Sequence, residues 1–200
     1  KRRISRVKLK FGGAGAAYFN KPHLTAQQTH WQTMTEKPLN GDNFDEDALY
    51  DGRQSETAMR IMRGVSRMLA EQNFAGLPEF TLPNHRRADL LAVGSRGEIW
   101  IIEIKSSLTD FQTDKKWPDY LDYCDSFFFA VEPNFPVDRL PPACGLILAD
   151  AYGAEIIRPA PISKLAAARR TMITRQVARV GANRLRRLSD PRRPTSPKTS

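Results

Sequence analysis

The stretch of sequence that decides the fold extends from Arg86 to Lys105 and reads RRADLLAVGSRGEIWIIEIK. Its two halves, residues 86–93 and 98–105, are rich in the aliphatic residues that favour β-strands. Between them residues 94–97 read GSRG, a composition typical of a hairpin turn. The stretch therefore predicts two antiparallel strands joined by a short loop.

The second strand of this hairpin ends in charged residues. It is apolar on both faces for most of its length and then presents Glu103 and Lys105 side by side on one face. Asp89, in the first strand, is the nearest further charge. Charges at the end of a buried strand cost several kcal/mol unless they pair or bind a metal. The sequence therefore predicts either a plain ion pair between Glu103 and Lys105 or a metal site that includes Asp89.

The metal-site hypothesis requires a particular strand register. Two carboxylates and a lysine suit Mg²⁺-dependent phosphoryl chemistry, in which the lysine offsets charge on the phosphate or orients the attacking water. Asp89 and Glu103 share a face if paired residue numbers sum to 192, whereas a symmetric four-residue loop at residues 94–97 gives 191. We therefore predict a three- or five-residue loop, or a β-bulge, between the strands.

The segments around the hairpin predict an α/β (or α+β) fold with a central mixed sheet flanked by helices and an additional basic C-terminal helix. In the helix before the hairpin, Asp51 is the predicted N-cap, and in the helix after it Pro118 is a break signal. In chain order, the predicted helices and strands are a helix over 51–73, a strand over 79–82, the hairpin, a helix over 108–123, strands over 127–131, 145–149 and 154–157, and a helix over 163–188.

The composition describes a chain with an acidic middle and basic ends. The 200 residues are 40% hydrophobic with no run long enough to span a membrane, and two cysteines are too few for a disulfide scaffold, so we expect a cytoplasmic protein. Residues 1–10 hold six Lys/Arg and no acid, and residues 158–200 hold twelve against one. The remaining residues, 11–157, carry a net charge of −8. Basic ends favour a nucleic-acid partner, and the alternative is a pair of solvated tails.

The charged motif resembles the PD-(D/E)XK nuclease superfamily. Asp89 is followed by Glu103-Ile104-Lys105 between two predicted helices, although Ala88 stands where the superfamily's name has Pro. Longer strings resemble, more specifically, the MmcB-like family of bacterial DNA-repair proteins, which are regarded as endonucleases. These strings are RRADL at 86–90, IEIKSS at 102–107, KWPDYLDYCD at 116–125, FFAV at 128–131 and ADAYGAE at 149–155.

The resemblance implies a restriction-endonuclease-like core and a role for each motif residue. Asp89 and Glu103 would bind Mg²⁺ or Mn²⁺ with the backbone carbonyl of Ile104, and Lys105 would be the catalytic lysine. Many members of the superfamily also use a glutamate on the first helix, for which the candidate is Glu56; the alternative is a solvated glutamate. The implied organisation is a disordered arm at 1–47, a nuclease-like domain at 48–160, a basic helix at 161–188 on or near the domain and a disordered tail at 189–200.

The implied activity is metal-dependent hydrolysis of DNA in bacterial repair by a cytoplasmic enzyme, for which association with the nucleoid is an alternative location. The alternatives are a catalytically inactive DNA-binding or adaptor protein that retains the fold, and a nuclease acting on RNA. The candidate DNA contacts are Arg86, Arg87, Lys116, Tyr120, Arg169 and Arg170. For Tyr120 the alternative is packing onto the sheet, for Arg87 an ion pair with Asp89, and for the two C-terminal arginines a solvated helix.

The second predicted helix also contains several acidic residues, for which we expect a solvated helix face. The alternative is that Asp122 or Asp125 supports the site residues from behind. The acidic residues of this segment are Asp110, Asp114, Asp119, Asp122 and Asp125.

Overall fold

A computed structural model describes residues 55–190 of the chain. These residues form one mixed six-stranded sheet with the strands in sequential order. The strands are β1 (Phe74–Thr81), β2 (Arg87–Gly94), β3 (Ile99–Ile104), β4 (Ser126–Val131), β5 (Gly145–Ala149) and β6 (Ala154–Arg158). The helices are α1 (Glu56–Glu71), α2 (Leu108–Thr113) and α3 (Ala167–Ser189), with short 3₁₀ helices at Trp117–Tyr123 and Val137–Arg139.

The centre of the sheet is parallel and its edges are antiparallel. β3 and β4 pair in parallel, as do β4 and β5, whereas β1–β2, β2–β3 and β5–β6 are antiparallel pairs. β4 is buried along its whole length, which explains its continuous run of aromatic and aliphatic residues. The predicted central mixed sheet flanked by helices is confirmed, and the architecture is consistent with a nuclease-like core.

Helix α1 covers one face of the sheet. Its N-cap is Ser55, whose hydroxyl accepts a hydrogen bond from the amide of Ala58, so the cap lies four residues after the predicted one, Asp51. The apolar stripe of the helix packs on β2 to β5 around Ile61, Val65 and Leu69, all fully buried. This packing holds β3 from the face opposite Glu103.

The prediction of one continuous helix over 108–123 is wrong. Helix α2 ends at Thr113, and a 3₁₀ helix begins at Trp117, where Pro118 occupies the first turn. The interruption falls at Asp114, because its carboxylate accepts hydrogen bonds from Lys105 Nζ and from the amide of Lys116. The tertiary contact with Lys105 thus divides a segment whose pattern predicts one helix.

Helix α3 packs on the same face of the sheet as α2. Its apolar side packs in the core: Ile173 is fully buried, and Met172, Val177 and Val180, with Leu165 just before the helix, pack around the same core. The helix begins at Ala167 and not at Ser163, because the amides of Ser163 and Leu165 bond to Asp125 and hold the preceding segment in an extended form. It continues through Ser189.

Strand β1 is longer than the predicted strand over 79–82. Gly76 and Pro78 are break signals in the sequence, but β1 is an edge strand, where proline is tolerated. The predicted arm at 1–47, the proposed cap at Asp51 and residues 191–200 of the predicted tail lie outside the described residues. Within residues 55–190, no helix combines the length and apolar character needed to cross a membrane.

Gly64 on α1 should be essential for this packing. A Cβ at this position would overlap the carbonyl oxygens of Asp150 and Gly153, which belong to the hydrogen-bonded turn between β5 and β6. We expect Gly64→Ala to lower the free energy of unfolding by about 1–3 kcal/mol, measured by urea denaturation. The control is Gly181→Ala on α3, where a Cβ meets nothing within 4 Å; it should stabilise by about 0.5–1 kcal/mol. Equal effects of the two variants would contradict this account.

Candidate active site

The β2–β3 hairpin has the register that the site requires. Leu90 pairs with Ile102 and Val93 with Ile99, so paired residue numbers sum to 192 and the next pair is Asp89 opposite Glu103. The loop has three residues, because the amide of Gly94 bonds to the carbonyl of Glu98, and Gly97 takes a left-handed φ of 84°. This is a three-residue hairpin loop with a glycine at the left-handed position. The predicted departure from a symmetric four-residue loop is confirmed.

The two carboxylates are held in place by backbone amides of the hairpin. Asp89 Oδ2 accepts a hydrogen bond of 2.8 Å from the amide of Ile104, and Glu103 Oε1 accepts one of 3.2 Å from the amide of Asp89. Glu103 is only 3% exposed, and Asp89 is half-buried. The two strands therefore support each other's carboxylate, and the second oxygen of each group is not used by these two bonds.

Lys105 is 4% exposed and lies between two carboxylates. Its Nζ is 2.6 Å from Asp114 Oδ2 and 3.7 Å from Glu103 Oε2, so Asp114 is the closer partner. We predicted a solvated helix face for Asp114, which is wrong: the residue is a partner of the motif lysine. A sequence signal for this role is the segment Lys115-Lys116-Trp117-Pro118, which follows Asp114. Its proline makes a continuous helix unfavourable and so indicates that Asp114 lies at a helix end.

The pKa values of the site reflect burial and like-charge repulsion. Burial raises the pKa of Asp89 to about 6, against the opposing hydrogen bond from Ile104. Burial, and then the charge of Asp89, raises the pKa of Glu103 well above its usual range. Burial opposes the charged form of Lys105, but the hydrogen bond to Asp114 and the charge of Glu103 outweigh it and raise the pKa of the ammonium. Two carboxylates that disfavour their charged forms in this way are a pair that a divalent cation would stabilise.

These residues line one open cleft of 520 Å³, within the size range of ligand sites. Its wall contains the side chains of Asp89, Glu103 and Lys105, as well as Ile104. Five acidic and three basic side chains line it, so its formal net charge is two units negative. The remaining charged members are Glu79, Arg87, Asp110, Asp114 and Lys116.

Glu79 is a member of the cleft that the sequence analysis missed. The flanking pairs of β1 and β2, Pro78 with Leu90 and Phe80 with Ala88, place Glu79 in register with Asp89. Its φ of 50° is left-handed, and its carboxylate is 2.6 Å from Arg87 Nε. No local pattern marks this residue, because a Pro-Glu pair at the start of the predicted short strand is ordinary for a turn.

Comparison with known proteins identifies the family. Residues 45–192 match the family described as DNA repair protein MmcB-like. The chain belongs to the MmcB-like family of DNA repair proteins. The match spans most of the chain and includes every candidate site residue, as the resemblance of the longer sequence strings predicts.

A solved structure of similar sequence supports the MmcB-like fold without adding an activity. It is a protein of unknown function from Silicibacter pomeroyi, 46% identical, with a TM-score of 0.67 over 69% of this chain and 94% of that chain. No curated protein matches the chain. Membership of this family suggests a role in DNA repair and an interaction with DNA.

The structure brings part of the predicted DNA-contact set of this MmcB-like protein to the cleft. Arg87, Lys116 and Tyr120 line it. The hydroxyl of Tyr120 donates to the carbonyl of Arg87, and its ring stacks on Phe127, so this tyrosine also has the packing role given as the alternative. Arg87 pairs with Glu79 and not with Asp89.

Other predicted residues of the MmcB-like site lie outside the cleft lining. Glu56 is 83% exposed and pairs with Arg60, which corresponds to the alternative of a solvated glutamate. Arg86 pairs with Asp119. Arg169 bonds to the carbonyl of Asp122 and lies over the ring of Tyr123, and Arg170 pairs with Asp125. The two C-terminal arginines therefore attach α3 to the domain.

The donor set of the MmcB-like cleft fits a magnesium or manganese ion. Among residues 55–190, no three His, Cys, Asp or Glu side chains are arranged to hold a metal together. Magnesium does not require such a cage, because it is commonly bound by one or two carboxylates while water and substrate phosphate complete its shell. Asp89 and Glu103, opposite each other in a cleft of negative net charge, meet that requirement.

Proposed function

We propose that this protein is a metal-dependent endodeoxyribonuclease that hydrolyses phosphodiester bonds in bacterial DNA repair. The observation that carries the proposal is that a buried carboxylate, a half-buried carboxylate and a buried lysine line one cleft. Asp89 and Glu103 come from adjacent strands, and Lys105 follows Glu103 on the same face. Neither burial nor like-charge repulsion favours this arrangement as a structural element alone, which supports a chemical role for it.

In the proposed reaction, Asp89, Glu103 and the carbonyl of Ile104 would hold a Mg²⁺ or Mn²⁺ ion. The bound ion would supply Lewis-acid polarisation of the phosphate and a more acidic water. Lys105, restrained by Asp114, holds a positive charge at the cleft wall, where it would stabilise negative charge on the attacked phosphate. Arg87 and Lys116, also in the wall, are the candidates for binding flanking phosphates of the DNA.

A second candidate function is a catalytically inactive DNA-binding or adaptor protein that retains the fold. One observation favours it: each charged group of the motif has a partner within the protein. Asp89 and Glu103 each accept an amide hydrogen bond, and Lys105 pairs with Asp114. A site so satisfied is able to persist as a structural network without a cation.

The substitution Glu103→Gln tests the proposal with two measurements. The glutamine side chain can still accept the hydrogen bond from the Asp89 amide, but the substitution removes a charged ligand. We expect Mn²⁺ binding, measured by calorimetry, to weaken by about 10-fold or more. We also expect cleavage of plasmid, nicked, single-stranded and branched DNA to be lost, whereas DNA binding remains.

The matched control is Glu155→Gln, an exposed glutamate on β6, which should leave both measurements unchanged. Absence of Mn²⁺ binding and of cleavage in the unmodified protein, with DNA binding intact, would reject the nuclease and support the adaptor.

A further inference from the structure

Arg87 is an exposed cation of the cleft wall, and an ion pair fixes its orientation. Its side chain is 47% exposed, and its Nε is 2.6 Å from the carboxylate of Glu79, which is only 7% exposed. Its backbone carbonyl accepts the hydroxyl of Tyr120. Because a guanidinium has five N–H donors, a contact through Nε leaves further donors for a second oxyanion.

Glu79 has an unusual position for a residue of a cleft that would bind DNA. A buried carboxylate there opposes an incoming phosphate by charge repulsion. Its backbone is in the left-handed region, which residues with a side chain seldom adopt, while the strand register continues on both sides of it. The ion pair with Arg87 offsets part of the cost of burying a carboxylate at this point.

Helix α3 stabilises the same backbone. The guanidinium of Arg184 donates to the carbonyl of Pro78 and, at 3.0 Å, to the carbonyl of Glu79. Gln176 of the same helix donates to the carbonyl of Thr81. One basic helix thus bonds to the irregular part of the edge strand β1, and β1 carries Glu79 into the cleft.

We infer that Glu79 is a positioning residue that orients Arg87 toward a phosphate of the bound DNA strand, and that Arg184 maintains the backbone conformation Glu79 needs. The inference rests on the proposed function in one respect, that DNA binds at this cleft. It assigns α3 a role in shaping the cleft in addition to any direct contact with DNA. Two effects of removing the Glu79 charge can be distinguished. Loss of repulsion alone would tighten DNA binding, whereas loss of the positioning of Arg87 would weaken it.

The test is the affinity for a DNA duplex, measured by fluorescence anisotropy at several salt concentrations without a divalent cation. Loss of a negative charge should by itself tighten binding to DNA. If Glu79 positions Arg87, Glu79→Gln should instead weaken binding about threefold to tenfold. The slope of log K against log salt should also become less steep by about one unit, which corresponds to the loss of one phosphate contact. Arg87→Ala should have a similar effect, and the double variant should bind no more weakly than Arg87→Ala alone.

Two further variants keep the outcomes separate. Arg87→Lys retains the charge but lacks the planar guanidinium that binds a phosphate through two donors, so it should also weaken binding. This result remains informative even if Glu79→Gln does not fold. Glu155→Gln, an exposed charge on β6, should not weaken binding. Binding by Glu79→Gln as tight as or tighter than that of the unmodified protein, with Arg87→Ala weakened, would overturn the inference alone. Unchanged binding by Arg87→Ala would also overturn the inference, whereas the proposed function would be decided separately by the metal-binding and cleavage measurements on Glu103→Gln.

Discussion

Replacement of Lys105 by methionine is expected to reduce the rate of DNA cleavage by about 100-fold or more while DNA affinity changes little. The lysine is buried beside Glu103 and Asp114, so its charge acts in a site from which water is largely excluded. Methionine has a similar length and keeps the apolar contacts of the stem. The expected loss of rate therefore reflects the missing interaction between the Lys105 ammonium and the negative charge of the attacked phosphate.

The control for this substitution is Lys115→Met, which removes a charge from an exposed position one residue beyond Asp114. It should leave the cleavage rate within about twofold, because exposed charges interact weakly. Mn²⁺ binding by Lys105→Met should persist, since the lysine is not a ligand. Equal cleavage by Lys105→Met and the unmodified protein would contradict the proposed role of Lys105.

The substitution Asp125→Ala should have the largest effect on stability, a loss of about 3–5 kcal/mol in the free energy of unfolding. Asp125 is buried at the start of β4 and accepts hydrogen bonds from the amides of Ile99 and Leu165. It also forms a two-point ion pair with Arg170 at 2.6 and 2.7 Å. Alanine would leave two amides and a guanidinium without this acceptor, which loosens β3 and the start of α3 together. Urea denaturation followed by circular dichroism measures the loss.

The effect of Asp125→Ala should also depend on pH. Burial opposes ionisation, but the hydrogen bond from Arg170 outweighs it and lowers the pKa of Asp125 below its usual 3.8. A depressed pKa contributes stability above the unfolded value and loses it as the pH falls through the folded value. The difference in the free energy of unfolding between variant and unmodified protein should therefore be largest above pH 3.8 and become smaller as the pH falls below it. Asp122→Ala, which removes an exposed partner of Arg169, is the control and should cost less than about 1 kcal/mol.

The hairpin shows how much of the site is predictable from local sequence. The identities of Asp89, Glu103 and Lys105 are in the sequence, and the alternation of a strand assigns Glu103 and Lys105 to one face. The condition for Asp89 to join them depends only on whether the loop has an odd or an even number of residues. The site hypothesis therefore limited the connection to a three- or five-residue loop or a bulge, and the structure shows the three-residue loop.

The partners of these residues could not be predicted in the same way. Asp110, Asp114, Asp119, Asp122 and Asp125 have equivalent surroundings in the sequence, and we expected one solvated face for all of them. In the fold, Asp114 bonds to Lys105 and divides the helix, whereas Asp125 links β3, β4 and α3. Glu79 becomes part of the site through an irregular backbone that no propensity indicates. Each of these roles depends on a residue from another element.

By itself, the sequence of this protein determined the order of the helices and strands, the strand that carries the charges and the hairpin register that a shared site would require. These depend on periodicities of two and 3.6 residues and on a short loop, which are properties of neighbouring residues. The tertiary structure alone decided which carboxylate restrains Lys105, which arginine lies in the cleft and which arginines attach α3. Those choices belong to side chains brought together across the sheet, because a buried charge takes its partner from whichever element the packing places beside it.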